Sequence, residues 1–170
     1  MTKRILGLLL ALVLVIMPAT SAMAATTADV TVTATPQFVA IADNVTSYDF
    51  GSVAGSGVYQ TNEDYVEIDN TSSVQTDQTI AVTTATWSGG VTWTHSDTAT
   101  IGADTAGLKA NKGGTWGVGD VIIKFTAPND IATNQAANTD YTYGIQLLAP
   151  SSFGDGVEKT ITVRVTAASG

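Results

Sequence analysis

YVEIDNTSSVQTDQTIAVTT, residues 65–84, reads as a strand, a turn and a second strand. Val66 and Ile68 alternate with Tyr65 and Glu67, the two-residue period of a β-strand with one face to bury. Asp69, Asn70, Thr71 and Ser72 follow as a turn cluster, because short polar side chains hydrogen-bond to nearby backbone and compete with regular structure. From Thr79 to Thr84 the alternation resumes, with Ile80 and Val82 on the inward side.

The same rhythm runs through the chain in both directions. Towards the N-terminus, Val30, Val32 and Ala34 alternate with Thr31, Thr33 and Thr35, which predicts a strand over residues 25–35 set off by Pro36. Residues 38–41 are a further extended piece, Asp43 and Asn44 a turn, and the three glycines of GSVAGSG (51–57) a loop. Towards the C-terminus, Gly89-Gly90 predicts a hairpin between Thr86-Trp87 and residues 91–94. Residues 108–110 are a short strand before the Gly113-Gly114 loop. Residues 121–125 (VIIKF) are the most apolar run outside the leader and are predicted as a central strand. Residues 129–138 are read as a polar loop with a helical turn near Ala132 to Ala136. The closing strands are residues 141–148 and 160–167. Nine or ten short strands with turn signals every 8 to 12 residues predict an all-β domain. The expected form is a two-sheet antiparallel β-sandwich of Ig-like or jelly-roll-like kind, spanning residues 36–170.

The first 24 residues are set aside from the fold. Lys3 and Arg4 precede a 12-residue apolar run (5–16), Pro18 breaks it, and Ala22-Met23-Ala24 is a small-x-small cleavage pattern. A membrane span needs roughly 20 apolar residues, so the run predicts a signal peptide and a secreted protein. Of 7 Lys and Arg against 15 Asp and Glu, Lys3 and Arg4 lie in this leader. The mature chain therefore keeps 5 basic groups against 15 acidic ones and carries about −10. That charge opposes a nucleic-acid partner and anionic lipid in the mature form.

With no cysteine, the chain has no disulfide, thiol nucleophile or zinc-thiolate site. His95 is its single histidine and is read as structural or solvent-facing; no G-x-S-x-G elbow accompanies it. The sequence thus predicts a protein that is not an enzyme. Glu63, Glu67 and Asp69 fall on one side of an extended segment and are candidate calcium ligands, since calcium takes six to eight oxygens. Asn44 and Asn70 each open an N-x-S/T sequon. Trp93 is expected in the core. Trp87 and Trp116 abut a turn and a glycine loop, and exposed indoles there would stack on sugar rings in a carbohydrate-binding or adhesin module.

The succession DFGSV (49–53), YVEIDNTSSV (65–74), TIAVTT (79–84) and TITVRVTAA (160–168) resembles small secreted Ig-like β-sandwiches, nearest to the TasA-like and archaeal bundling-pilus subunits. The resemblance implies polymerisation by donor-strand exchange between copies. Independently, the mature chain has only four lysines, Lys109, Lys112, Lys124 and Lys159, to guard its sheet edges. The expected function is a structural subunit of an extracellular filament or surface layer. It would be a head-to-tail homo-oligomer in which the strand carrying Val30, Val32 and Ala34 pairs with a neighbour.

Overall fold

The computed structural model describes residue 31 and residues 33–112 and 114–170. The predicted leader (1–24), Val30 and Val32 lie outside the described residues. The chain divides into two compact units, Met1–Thr35 and Pro36–Gly170. In the first, the described residues Thr31, Thr33, Ala34 and Thr35 are exposed and belong to no strand.

The second unit is all-β. Its strands are β1 (Ile41–Asp43), β2 (Val58–Gln60), β3 (Val66–Asn70), β4 (Thr76–Val82), β5 (Thr86–Trp87), β6 (Trp93–His95), β7 (Thr105–Asn111), β8 (Val121–Ile122), β9 (Asn129–Gln135), β10 (Tyr141–Leu148) and β11 (Val163–Ser169). Eight form one sheet in the order β1-β3-β10-β7-β6-β5, with β2 added to β10 and β8 to β7; the other sheet is β11-β4-β9. Every pairing is antiparallel except β6 with β7.

The segment 65–84 keeps its strand–turn–strand order, but the first strand runs on through Asp69 and Asn70 and the second begins at Thr76 and ends at Val82. In β3, Val66, Ile68 and Asn70 are buried between half-buried Glu67 and exposed Asp69. In β4, Thr76, Gln78, Ile80 and Val82 alternate inward without a break. The hairpin around Gly89 and Gly90 pairs Thr86 with Thr94 and Trp87 with Trp93. Both glycines have positive φ (107° and 51°), a conformation that side-chain-bearing residues rarely adopt. Val66, Ile68, Ile80, Val82, Leu108, Ile123, Ile131, Tyr143 and Leu147 belong to one core cluster fed by both sheets.

Three expectations need correction. Residues 121–125 are not a central strand: Val121 and Ile122 pair with β7, and Lys124 forms a single parallel bridge with Ala81 of β4. The Ile123 N–H still bonds to Leu108 in the first sheet, whereas the Lys124 carbonyl accepts from Val82 in the second. The run is apolar because it crosses the core from one sheet to the other. The central strands are β7 and β10, each paired along both sides. β10 gives close approach at Gly144, where a Cβ would lie 2.6 Å from the Asn62 carbonyl and 2.7 Å from the Trp116 ring.

Residues 129–135 are a strand, not a loop with a helical turn. Their polar residues hide the strand because two irregularities interrupt its period. Gln78 pairs with Ala132 and Thr79 with Asp130, so Ile131 is an extra residue and both Ile131 and Ala132 are buried. Asn134, at φ 54°, donates its N–H to Asp77 and accepts from the Gln75 amide. The turn expected at Asp43-Asn44 begins one residue late, since Asp43 ends β1 opposite Ile68.

Candidate functional site

The carboxylates that gather are Glu67, Asp69 and Asp140, whose oxygens lie within 4.8 Å of one another. Glu67 and Asp69 share one side of β3, and the register of β10 against β3 brings Asp140 beside them. Glu63 is not among them: it sits in the turn before β3, outside the strand whose period aligns the other two. Asp140 also accepts the Asn70 N–H at 2.9 Å, so part of its oxygen capacity serves the turn.

Asn70 itself is buried, 1% exposed. Its amide donates to the Ala136 carbonyl at 3.1 Å and to Thr76 at 3.4 Å, and its Oδ1 accepts from the Ser72 N–H. The nitrogen that a glycan on this sequon would modify is thus buried and hydrogen-bonded. Asn44 is exposed and accepts the Glu67 N–H through Oδ1, which leaves its Nδ2 outside that bond.

The tryptophans do not form an exposed coplanar pair. Trp87 is 6% exposed and packs at 5.8 Å from Trp93, which is equally buried and stacks on Phe153. Trp116 is half-buried over Gly144 and donates its indole N–H to the Thr61 carbonyl. Burial of Trp87 follows from its register with Trp93: cross-strand partners project to the same face.

His95 is buried, and its Nε2–H donates to the Ile123 carbonyl at 2.7 Å. Asp97 is 4.0 Å from that ring. Partial desolvation pushes the Asp97 carboxyl up, but hydrogen bonds from Thr126 and the Phe125 N–H outweigh it and hold the group below the usual carboxylate value. This group anchors the crossover that follows Ile123.

The feature with unspent bonding capacity is a sheet edge. β11 pairs with β4 over seven consecutive residues, Val163↔Val82 to Ser169↔Thr76, with no shift of register. The ladder is bracketed by Thr83 N–H to the Thr162 carbonyl (2.9 Å) and Gly170 N–H to the Gln75 carbonyl (3.0 Å). Antiparallel pairs alternate in bonding, so Arg164, Thr166 and Ala168 bond to β4. Val163, Val165, Ala167 and Ser169 then present their N–H and C=O groups to the opposite side, where no strand pairs among the described residues. The inward side chains Val163, Val165 and Ala167 are only half-buried, whereas their neighbours Ile80 and Val82 on β4 are 0% and 3% exposed. At about 3.3 Å per residue this edge is about 23 Å long. It contains no proline or bulge to blunt it, and its one charge is the exposed Arg164.

Among the described residues the other edges are shorter or, in the equally long β9, irregular. β1 has three residues and β5 two, and β9 is bent by its irregularities and tied at its start by Asn129 Nδ2 to the Ile122 carbonyl. Sequence pattern alone marks β11 as a strand; that it lies at an edge is visible only in the topology. Comparison with protein families, with characterised proteins and with solved structures finds no match.

Proposed function

We propose that the mature chain is a secreted structural subunit of an extracellular filament or surface layer, built by strand addition between copies. The open edge of β11 carries this reading. Seven residues in register offer four N–H and four C=O groups outward, and main-chain pairing to another chain is the generic way such an edge gains affinity. In this reading the two sheets face each other across their common core as a sandwich, which leaves the β11 rim half-covered until a further strand arrives. Residues 1–24 act as the signal peptide that delivers the chain outside the cell. The protein works by assembly and not by catalysis, with copies of itself as partners and with neither nucleic acid nor membrane.

Negative-stain imaging of the natively secreted protein tests the reading. Filaments or a regular lattice are expected, and separate particles of one-chain size at every concentration tried would overturn it.

A further inference from the structure

Resting on that reading, we infer that the β11 edge pairs with the β11 edge of a second copy. The two strands run antiparallel about a two-fold axis through Thr166 and join the two three-stranded sheets into one. Three observations point to this occupant. The first is length. Among the described residues, β11 is the one edge with seven residues and no irregularity; the others run two or three residues or, in β9, carry two shifts of register. The regular strand that matches it end to end is its own copy.

The second is register. Val163, Val165, Ala167 and Ser169 turn their bonding groups outward, and antiparallel strands bond through opposed pairs of such residues. Setting Thr166 opposite Thr166 places Val163 against Ser169 and Val165 against Ala167, so every outward group meets another. This is the single register in which all seven residues of both strands are paired. Opposed residues share a face. Val165 of each copy therefore covers Ala167 of the other on the inward side, where both are half-buried in one chain.

The third is charge. The chain is strongly acidic, yet the strand VRVTAAS carries no carboxylate and one cation, the exposed Arg164. Among the described residues the ion pairs are His95 with Asp97 and Lys159 with Asp155, so Arg164 belongs to none. In the two-fold register Arg164 lies opposite Ala168 of the second copy, and Ala168 pairs in turn with Asp77 on β4. All three project from the outer face, with only the Ala168 methyl between guanidinium and carboxylate. Asp77 commits Oδ1 to the Asn134 N–H at 2.7 Å, which leaves Oδ2 for the arginine. Exposed ion pairs of this kind add little affinity, but they select the register, since a slide of four residues sets Arg164 against Arg164. A two-fold contact closes on itself, so the pair is a building unit and the array grows from it through other surfaces.

The chain has no cysteine, so an engineered one reports cleanly. Thr166 and its copy form a non-hydrogen-bonded pair, about 4.5 Å between Cα atoms and within disulfide reach. The full-length, natively processed variant Thr166→Cys should give, under mild oxidation, a reducible dimer and no higher multiple. Ala168→Cys alone should stay a single chain, because its copy lies four residues further along the strand, about 13 Å away. Mixed with Arg164→Cys, it should crosslink. Filaments without a Thr166→Cys dimer would overturn the pairing and leave the assembly reading standing. A Thr166→Cys dimer in protein that images only as isolated pairs would keep the pairing and overturn the filament. Equal crosslinking of Thr166→Cys and Ala168→Cys would reveal random collision and overturn the register. Ala167→Pro deletes an outward N–H without touching the β4 ladder. Its circular dichroism should match the parent's while sedimentation shows a dimer weaker by about tenfold or more; an undiminished dimer would refute the β11 edge.

Discussion

Tyr143 lies on β10 with 3% of its surface exposed, and its phenol is pushed up first by burial and then by the nearby Asp43 carboxylate. Tyr141, two residues earlier on the same strand, is raised by burial from 10.0 to about 12. A group whose folded pKa exceeds its unfolded value binds its proton more tightly when folded. Its stabilisation is complete below the unfolded value and disappears as pH rises through the folded one. The contribution of these two tyrosines should therefore stay constant up to about pH 10 and be lost progressively above. Tyr143→Phe cannot ionise, so its alkaline decline should be shallower than the parent's; melting followed by circular dichroism between pH 8 and pH 12 checks this. An unchanged slope would mean that Tyr143 titrates as freely in the folded chain as in the unfolded one. Asn70 teaches a related lesson at the same scale. A residue that looks like surface turn chemistry is fully buried because its amide satisfies the Ala136 carbonyl and Thr76 across the end of the sheet.

At the scale of elements, the crossover after β8 shows what an apolar run can mean. Ile123 is 0% exposed, pinned by its N–H to Leu108 and by the His95 ring on its carbonyl. Val118, five residues earlier in the glycine loop, is 74% exposed. Truncation should separate them sharply. Ile123→Ala leaves a cavity between the sheets and should cost about 2–5 kcal/mol, while Val118→Ala should change stability by less than about 0.5 kcal/mol. Urea unfolding of both variants decides it. Equal, small effects would show that the crossover does not join the two sheets energetically. The irregularities of β9 belong to this scale too: with an extra residue at Ile131 and a left-handed Asn134, no single two-residue period spans the strand.

For the whole molecule, charge opposes association. The chain carries −8, and about −10 over residues 25–170, so in the proposed assembly copies would have to approach against mutual repulsion. Raising salt from about 10 mM to about 150 mM shortens the screening length from about 30 Å to about 8 Å. Assembly followed by light scattering should accordingly accelerate. Slower assembly with salt would indicate a joint made of opposite charges instead of backbone pairing.

Much of this architecture was legible in the amino-acid order alone. Local alternation marks a strand wherever one face is buried without interruption, which is why β3, β4, β10 and the Trp87–Trp93 hairpin stand at or near their expected places. The absence of cysteine and the acidic balance are likewise properties of composition. What alternation cannot carry is the partner on each side. A strand's own period is the same at the centre of a sheet, at its edge or on a crossover, because the backbone pairs with residues distant in sequence. Tertiary structure therefore decided that residues 121–125 cross between sheets and that Asp140, not Glu63, joins Glu67 and Asp69. It likewise buried Trp87 and Asn70, and it left β11 as a long regular edge, with the bonding groups of Val163, Val165, Ala167 and Ser169 turned outward.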